Sequence, residues 1–293
     1  MNFLRGTGVA IVTPFNPDAS VDYTALRQLV SHIINGKADY IVVLGTTGET
    51  ATLNKEEKNE VLKMVKAAAE NKIPLVIGIG GNDTQKILHE IAETDLSGFS
   101  AILSVSPYYN KPTQEGIYKH YSLIANHSPL PVILYNVPAR TSSNILPETT
   151  LRLAQHKNII AIKEASGNLE QCSKIIKNKP DGFFVISGDD NFTLPLLALG
   201  GDGVISVVAN AFPLQFSEMV RYAIKNDVAT ARRFHFLLNE LVHLLFVDGN
   251  PAGIKCVLQH LSIGKETVRL PLTEVTDITR KKIIEEVQKI QRG

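Results

Sequence analysis

Short apolar runs recur along the chain at even intervals, and each ends in glycine, asparagine, threonine or another turn-forming residue. In order they read VAIVTPF, YIVVLGTTGE, PLVIGIGGND, AILSVSPYYN, PVILYNVPAR, IIAIKEASGN, FFVISGDDN and GVISVVANAF. They are rich in Val and Ile and apolar on both faces, as strands buried in a parallel sheet are. Amphipathic, charged segments long enough for helices lie between them. In NKEEKNEVLKMVKAAAEN, Asn54 stands as N-cap with Glu56 and Glu57 in the first turn. DTQKILHEIAETDLSG follows the same plan, with Asp83 or Thr84 as cap, and Pro147 sits near a helix start, where proline is tolerated.

Strands alternating with helices give βαβ units, and about eight right-handed repeats close on themselves. The expectation is therefore an α/β protein, a (β/α)8 TIM barrel. The eighth run ends near Asn210, and FPLQFSEMVRYAIKN would supply the eighth helix. Further helical segments follow, so residues 1–226 are assigned to the barrel and 227–293 to a C-terminal helical appendage. An open doubly wound sheet fits less well, because the runs are evenly spaced and no GxGxxG follows the first.

Composition narrows the function classes. The 293 residues carry a formal net charge of +1 with basic residues scattered, which gives no electrostatic reason to expect nucleic acid or an anionic membrane as partner. No uninterrupted apolar stretch reaches the roughly 18 residues of a membrane span. The start MNFLRGTGVAIVTPF lacks a signal-peptide pattern, and Cys172 and Cys256 read as reduced packing thiols, so a cytoplasmic location is expected.

A barrel of this kind builds its site where the strands end. The second run delivers Thr46, Thr47 and Glu49, and the fourth Tyr108, Tyr109, Asn110 and Lys111. The fifth delivers Tyr135, Asn136 and Arg140, the sixth Lys163 and Glu164, and the seventh Gly188, Asp189 and Asp190. All eight histidines fall in helical segments or at their edges, so a metal centre is not expected. Asp189 and Asp190 read as caps of the next helix rather than as a cation site. The acidic SGDDN would repel a phosphate. What remains suits carbonyl chemistry. A lysine amine can add to a ketone to form a Schiff base, provided that an apolar wall disfavours its ammonium form. A tyrosine can pass protons, an arginine fork can hold a carboxylate, and the N–H groups of a Gly-Thr-Thr-Gly turn can hold another. Taken singly, a strand-end lysine can equally reach water, so the direction in which Lys163 points is decisive.

GTTGE at 45–49, SPYYNKPTQEG at 106–116, YNVPART at 135–141, IKEASGN at 162–168, SGDD at 187–190 and GGDGVISV at 200–207 resemble the dihydrodipicolinate (4-hydroxy-tetrahydrodipicolinate) synthase family, in order and over essentially the whole chain. The resemblance implies condensation of pyruvate with aspartate 4-semialdehyde on the diaminopimelate route to lysine, with no cofactor and no metal. It implies Lys163 as the Schiff-base lysine and Tyr135 as proton shuttle, linked to Thr46 and to Tyr109, the latter supplied by a neighbouring subunit. It implies that Thr47 holds the pyruvate carboxylate, Arg140 the semialdehyde carboxylate, and that Gly188 and Ile205 line the pocket. A homotetramer, a dimer of tight dimers, is implied as well. The alternative is a sister class I pyruvate aldolase such as N-acetylneuraminate lyase, against which Arg140 and the paired tyrosines speak.

Many relatives are inhibited by lysine at the tight-dimer interface. The matching positions are Thr50, Ala51, Lys55, Lys58, Asn82, Lys86 and Tyr108. In the lysine-sensitive relatives the positions of Lys55 and Lys58 are histidines and that of Lys86 is a glutamate. Three basic side chains there imply weak or absent lysine inhibition.

Overall fold

The computed structural model describes residues 2–292. Eight parallel strands form a closed barrel: β1 (Thr7–Ala10), β2 (Tyr40–Val43), β3 (Leu75–Gly78), β4 (Ala101–Val105), β5 (Val132–Asn136), β6 (Ile159–Glu164), β7 (Phe184–Ser187) and β8 (Gly203–Ser206). Neighbours in sequence are neighbours in space, and β8 returns to β1 with Gly8 beside Ile205. The intervening helices are α1 (Tyr23–Asn35), α2 (Lys55–Ala69), α3 (Thr84–Glu93), α4 (Gln114–His127), α5 (Pro138–Thr141), α6 (Pro147–Leu153), α7 (Leu169–Asn178), α8 (Thr193–Ala198) and α9 (Pro213–Ile224). The sequence-based expectation of a (β/α)8 TIM barrel holds.

Two apolar layers explain why the runs lack alternation. Inward-facing residues such as Ala10, Val42, Val76, Leu103, Ile133, Ala161 and Ile205 fill the barrel. Outward-facing residues such as Ile41, Val43, Ile77, Ile102, Leu134, Ile162 and Val185 pack under the helices. Tyr40 turns into the barrel and donates from its hydroxyl to Val204 O (3.0 Å). Gly8 makes that possible, because a Cβ there would stand 2.2 Å from the Tyr40 ring. The caps are those that the sequence suggests. Asn54 and Glu57 form a reciprocal capping box on α2, and Asp83, not Thr84, caps α3 through Gln85 N and Lys86 N.

The first and last runs differ from expectation. Their strands stop at Ala10 and Ser206, well short of the apolar stretch. Past that point the seam is held by a side chain: Asn210 donates to Ala10 O (2.8 Å) and accepts from Val12 N (3.1 Å). The remaining apolar residues stay buried because α10 (Val228–Val247), α11 (Ala252–His260) and α12 (Asp277–Arg292) extend the outer layer around α8 and α9. Cys172 and Cys256 are free, and both are buried in this layer. Among the described residues no helix is long and apolar enough to cross a membrane.

Asp190 also departs from its expected role. It does not cap the helix that follows it; its buried carboxylate accepts from Val207 N (3.1 Å) and Val208 N (2.8 Å) after β8. Burial pushes its carboxyl up to about 6 from the ordinary 3.8. The native state then holds a proton that the unfolded chain has released, so this group's contribution to stability falls as pH rises from about 4 to about 6. Asp190→Asn keeps an acceptor for both amides but cannot titrate. Urea midpoints should show the parent losing about 2 kcal/mol relative to the variant between pH 4.5 and 7. Parallel pH curves would show that Asp190 is ionised throughout.

Candidate active site

The period of β6 sets the site. Alternate residues face opposite ways, so Ala161 and Lys163 turn into the barrel while Ile162 and Glu164 turn out. Lys163 is 6% exposed and Tyr135 7%, and the two are register partners on β6 and β5. The Lys163 Nζ lies 4.1 Å from the centroid of the Tyr135 ring. The lysine therefore points inward, with its amine against an aromatic wall and its stem among apolar neighbours. Gly188, just past β7, lets that stem pass: a Cβ there would come within 2.7 Å of Ala165 Cβ and 3.0 Å of Lys163 Cε. Ile205 closes the inner wall from β8.

Thr46, Thr47 and Gly48 form one turn of 3-10 helix after β2. Thr47 is buried and Thr46 exposed. Thr13 Oγ1 donates to Gly48 O (2.7 Å), and Asn250 Nδ2 donates to Thr47 Oγ1 (3.0 Å). Among the described residues the Thr47 hydroxyl hydrogen has no acceptor. Glu49 ends the turn in the left-handed region (φ 51°). Its buried carboxylate accepts from Lys255 Nζ (2.5 Å) and Arg269 N (2.9 Å). Burial lowers Lys255 to about 8, against the pull of Glu49. Arg269 in turn grips Glu57 with two hydrogen bonds (2.8 and 2.5 Å) and the carbonyl oxygens of Ala19 and Thr52. Both cations also lie against Phe15, 4.0 and 4.4 Å from its ring centroid. The threonine turn of the barrel is thus braced by Asn250, by Lys255 of α11 and by Arg269 in the segment after it. Asn250 and Lys255 were not singled out from the sequence. The only local signal is one amide and one lysine in the otherwise apolar NPAGIKCVL, and nothing local names their partners.

The other anticipated residues sit at the mouth. Arg140 is exposed on the single turn α5. Tyr108 and Tyr109 follow β4, and Tyr109 is 88% exposed on a left-handed backbone (φ 70°). Among the described residues no hydrogen bond joins Tyr135 to Thr46 or to Tyr109. The single chain thus assembles Lys163, Tyr135 and Ile205 on the buried inner face with Gly188 against the lysine stem, buries Thr47 in the turn after β2, and leaves Thr46, Arg140 and Tyr109 exposed. No group of three or more His, Cys, Asp or Glu side chains placed to hold a metal ion occurs among the described residues. On α2, Lys55 Nζ pairs with Glu93 (2.7 Å) and Lys58 Nζ with Glu90 (3.7 Å).

The model of the dihydrodipicolinate synthetase family matches residues 3–290. The chain belongs to that family. A 4-hydroxy-tetrahydrodipicolinate synthase of Flavobacterium psychrophilum is 52% identical over 278 residues, covering 94% of this chain and 95% of the relative. One from Parabacteroides distasonis is 51% identical, covering 98% and 97%. The crystal structure of the dihydrodipicolinate synthase from Acinetobacter baumannii complexed with pyruvate superposes with a TM-score of 0.95 at 38% identity, covering 98% of this chain and 99% of that one.

Proposed function

We propose that the chain condenses pyruvate with L-aspartate 4-semialdehyde to 4-hydroxy-tetrahydrodipicolinate, in lysine biosynthesis. The observation that carries the chemistry is the inward Lys163 amine lying 4.1 Å from the Tyr135 ring centroid. The amine adds to the keto carbon of pyruvate, the oxygen leaves as water, and an iminium remains. Loss of a methyl proton gives the enamine, whose carbon attacks the aldehyde of the second substrate. The amino group of that substrate then displaces Lys163 and closes the ring, so one water is lost overall. Tyr135 relays protons to and from the departing oxygen. The pyruvate carboxylate rests on the Thr47 hydroxyl and the N–H groups of Thr46 and Thr47, since Gly48 N and Glu49 N already donate to Gly45 O and Thr46 O within the turn. Arg140 receives the semialdehyde carboxylate as a fork. The chain's own amine supplies the covalent handle, so the scheme calls for no cofactor.

Thr46 and Tyr109 complete the relay in an assembly of subunits, Tyr109 entering the site of a neighbour and the whole being a homotetramer. Its 88% exposure in the single chain supports that reading. Residues 227–293 serve as a brace on the barrel rather than as a separate unit.

The test has two arms. Incubation with pyruvate followed by borohydride reduction should add one pyruvyl mass to a peptide containing Lys163, and an unmodified Lys163 sinks the mechanism. A coupled assay should give turnover with aspartate semialdehyde and none with N-acetylneuraminate; the reverse would assign the chain to the sister lyases.

Lysine should inhibit weakly or not at all. Lys55 and Lys58 are already engaged by Glu93 and Glu90, so those carboxylates are not free to grip an incoming ammonium, and position 86 adds a third positive charge. Titration of activity with lysine measures this directly, and strong inhibition at micromolar concentration contradicts it.

A further inference from the structure

Glu164 is 1% exposed, yet among the described residues no lysine, arginine or histidine forms an ion pair with it. Buried carboxylates are ordinarily paired with a cation. This one is held by neutral donors alone: Asn136 Nδ2 to both oxygens (3.1 Å each), Ser166 N to Oε1 (2.7 Å) and Gln171 Nε2 to Oε2 (2.8 Å). Hydrogen bonds of this kind stabilise the anion without cancelling its charge.

Its place in the sheet gives that charge an object. Lys163 and Tyr135 are partners on the inner face, and the next rung pairs Glu164 with Asn136 on the outer face. Glu164 O also accepts from Gly188 N (2.8 Å), so the same residue ties β6 to the glycine that faces the lysine stem. Asn136 is fixed in turn by Asn144 Oδ1 (2.8 Å) and Ile145 N (2.9 Å). A negative charge is thus locked behind the strand that carries the amine, in an interior that screens it poorly.

We propose that Glu164 is a positioning residue whose uncancelled charge favours the cationic iminium on Lys163. The inference rests on the reading of Lys163 as the Schiff-base lysine. When a neutral amine adds to the keto carbon, the hydroxyl takes up a proton relayed by Tyr135 and departs as water, and a positive charge stays on nitrogen. A fixed anion stabilises that charged nitrogen relative to the neutral amine from which it forms. A purely structural clamp would need only the shape and the hydrogen bonds of Glu164.

Three variants separate the two roles, each read as the fraction of pyruvate adduct trapped by borohydride across a pyruvate titration, with the melting temperature measured alongside. Glu164→Gln keeps the length and removes the charge, and should need about 10-fold more pyruvate for half-maximal adduct. Glu164→Asp keeps the charge and shortens the reach, and should be hurt less. Gln171→Lys leaves Glu164 in place and sets a cation on it from α7, and should weaken adduct formation about as much as Glu164→Gln. The opposite order, with Gln tolerated and Asp not, overturns the proposal. An undiminished adduct in Gln171→Lys does so too, even if Glu164→Gln does not fold. The parent protein is the control for the underlying reading: if it traps no pyruvate, that reading has failed, whereas normal trapping in both parent and Glu164→Gln removes only the role of Glu164.

Discussion

Lys163→Met should abolish the reaction while leaving the fold intact. The substitution keeps an unbranched side chain of similar volume, so the stem still fills the space that Gly188 leaves and the contact with Tyr135 persists. What disappears is the amine, and with it every covalent intermediate. Turnover should fall by at least about 10³-fold, since removing a nucleophile removes the whole covalent route at once. No mass should be added by pyruvate and borohydride. Circular dichroism and the melting temperature should match the parent. Residual turnover within about tenfold of the parent would mean that the condensation does not pass through Lys163, whatever the geometry suggests. Tyr135 offers no substitute nucleophile for a ketone, because a phenol oxygen lacks the basic lone pair of an amine.

Lys255→Met should have the largest effect on stability. The Lys255–Glu49 pair is 1% exposed on both sides. Removing the cation strands a buried carboxylate that keeps one neutral donor, the Arg269 amide (2.9 Å). A broken buried pair costs about 3–5 kcal/mol, far above the roughly 0–1 kcal/mol of a surface pair such as Lys63–Glu60. The urea midpoint measures the loss. The double variant Glu49→Gln/Lys255→Met should lose clearly less than the two single losses added, since neither charge is then stranded. Additive losses would show that the pair is not coupled. The same variant should raise the pyruvate concentration needed for adduct formation, because Glu49 closes the turn that carries Thr47. Full stability with normal pyruvate affinity would remove the bracing role given to α11.

The pairing of Lys163 with Tyr135 illustrates what the sequence could carry. Each residue ends an apolar run of similar length, successive runs pair in parallel, and side chains alternate with a period of two. Those local rules bring both residues to the same end of the barrel, whereas the shared rung depends on a register shift between Val132 and Ile133 that admits Ile160 as an extra residue on β6. The caps at Asn54 and Asp83 were legible for the same reason, since each cap and its partners lie within three residues. The ends of the first and last strands were not legible. Asn210 replaces the ladder there by bonds to Ala10 and Val12, about two hundred residues away, and hydrophobic pattern carries no sign of such a bond.

Asp190 shows the same limit in a smaller case. As a cap it looked local, but its partners are Val207 and Val208 on the next strand's exit. Glu49 met Lys255 for an equally non-local reason.

The sequence by itself determined the order of elements, the closed barrel and the identity of the residues at its mouth, because periodicity, caps and turn residues act over a few positions. Tertiary structure alone decided that Lys163 points inward onto Tyr135. It alone decided that the threonine turn leans on Asn250 and Lys255, that Glu164 is buried among neutral donors, and that Tyr109 stands clear of its own site. Burial and ion pairing depend on which distant segments meet, and that is settled by packing rather than by local pattern.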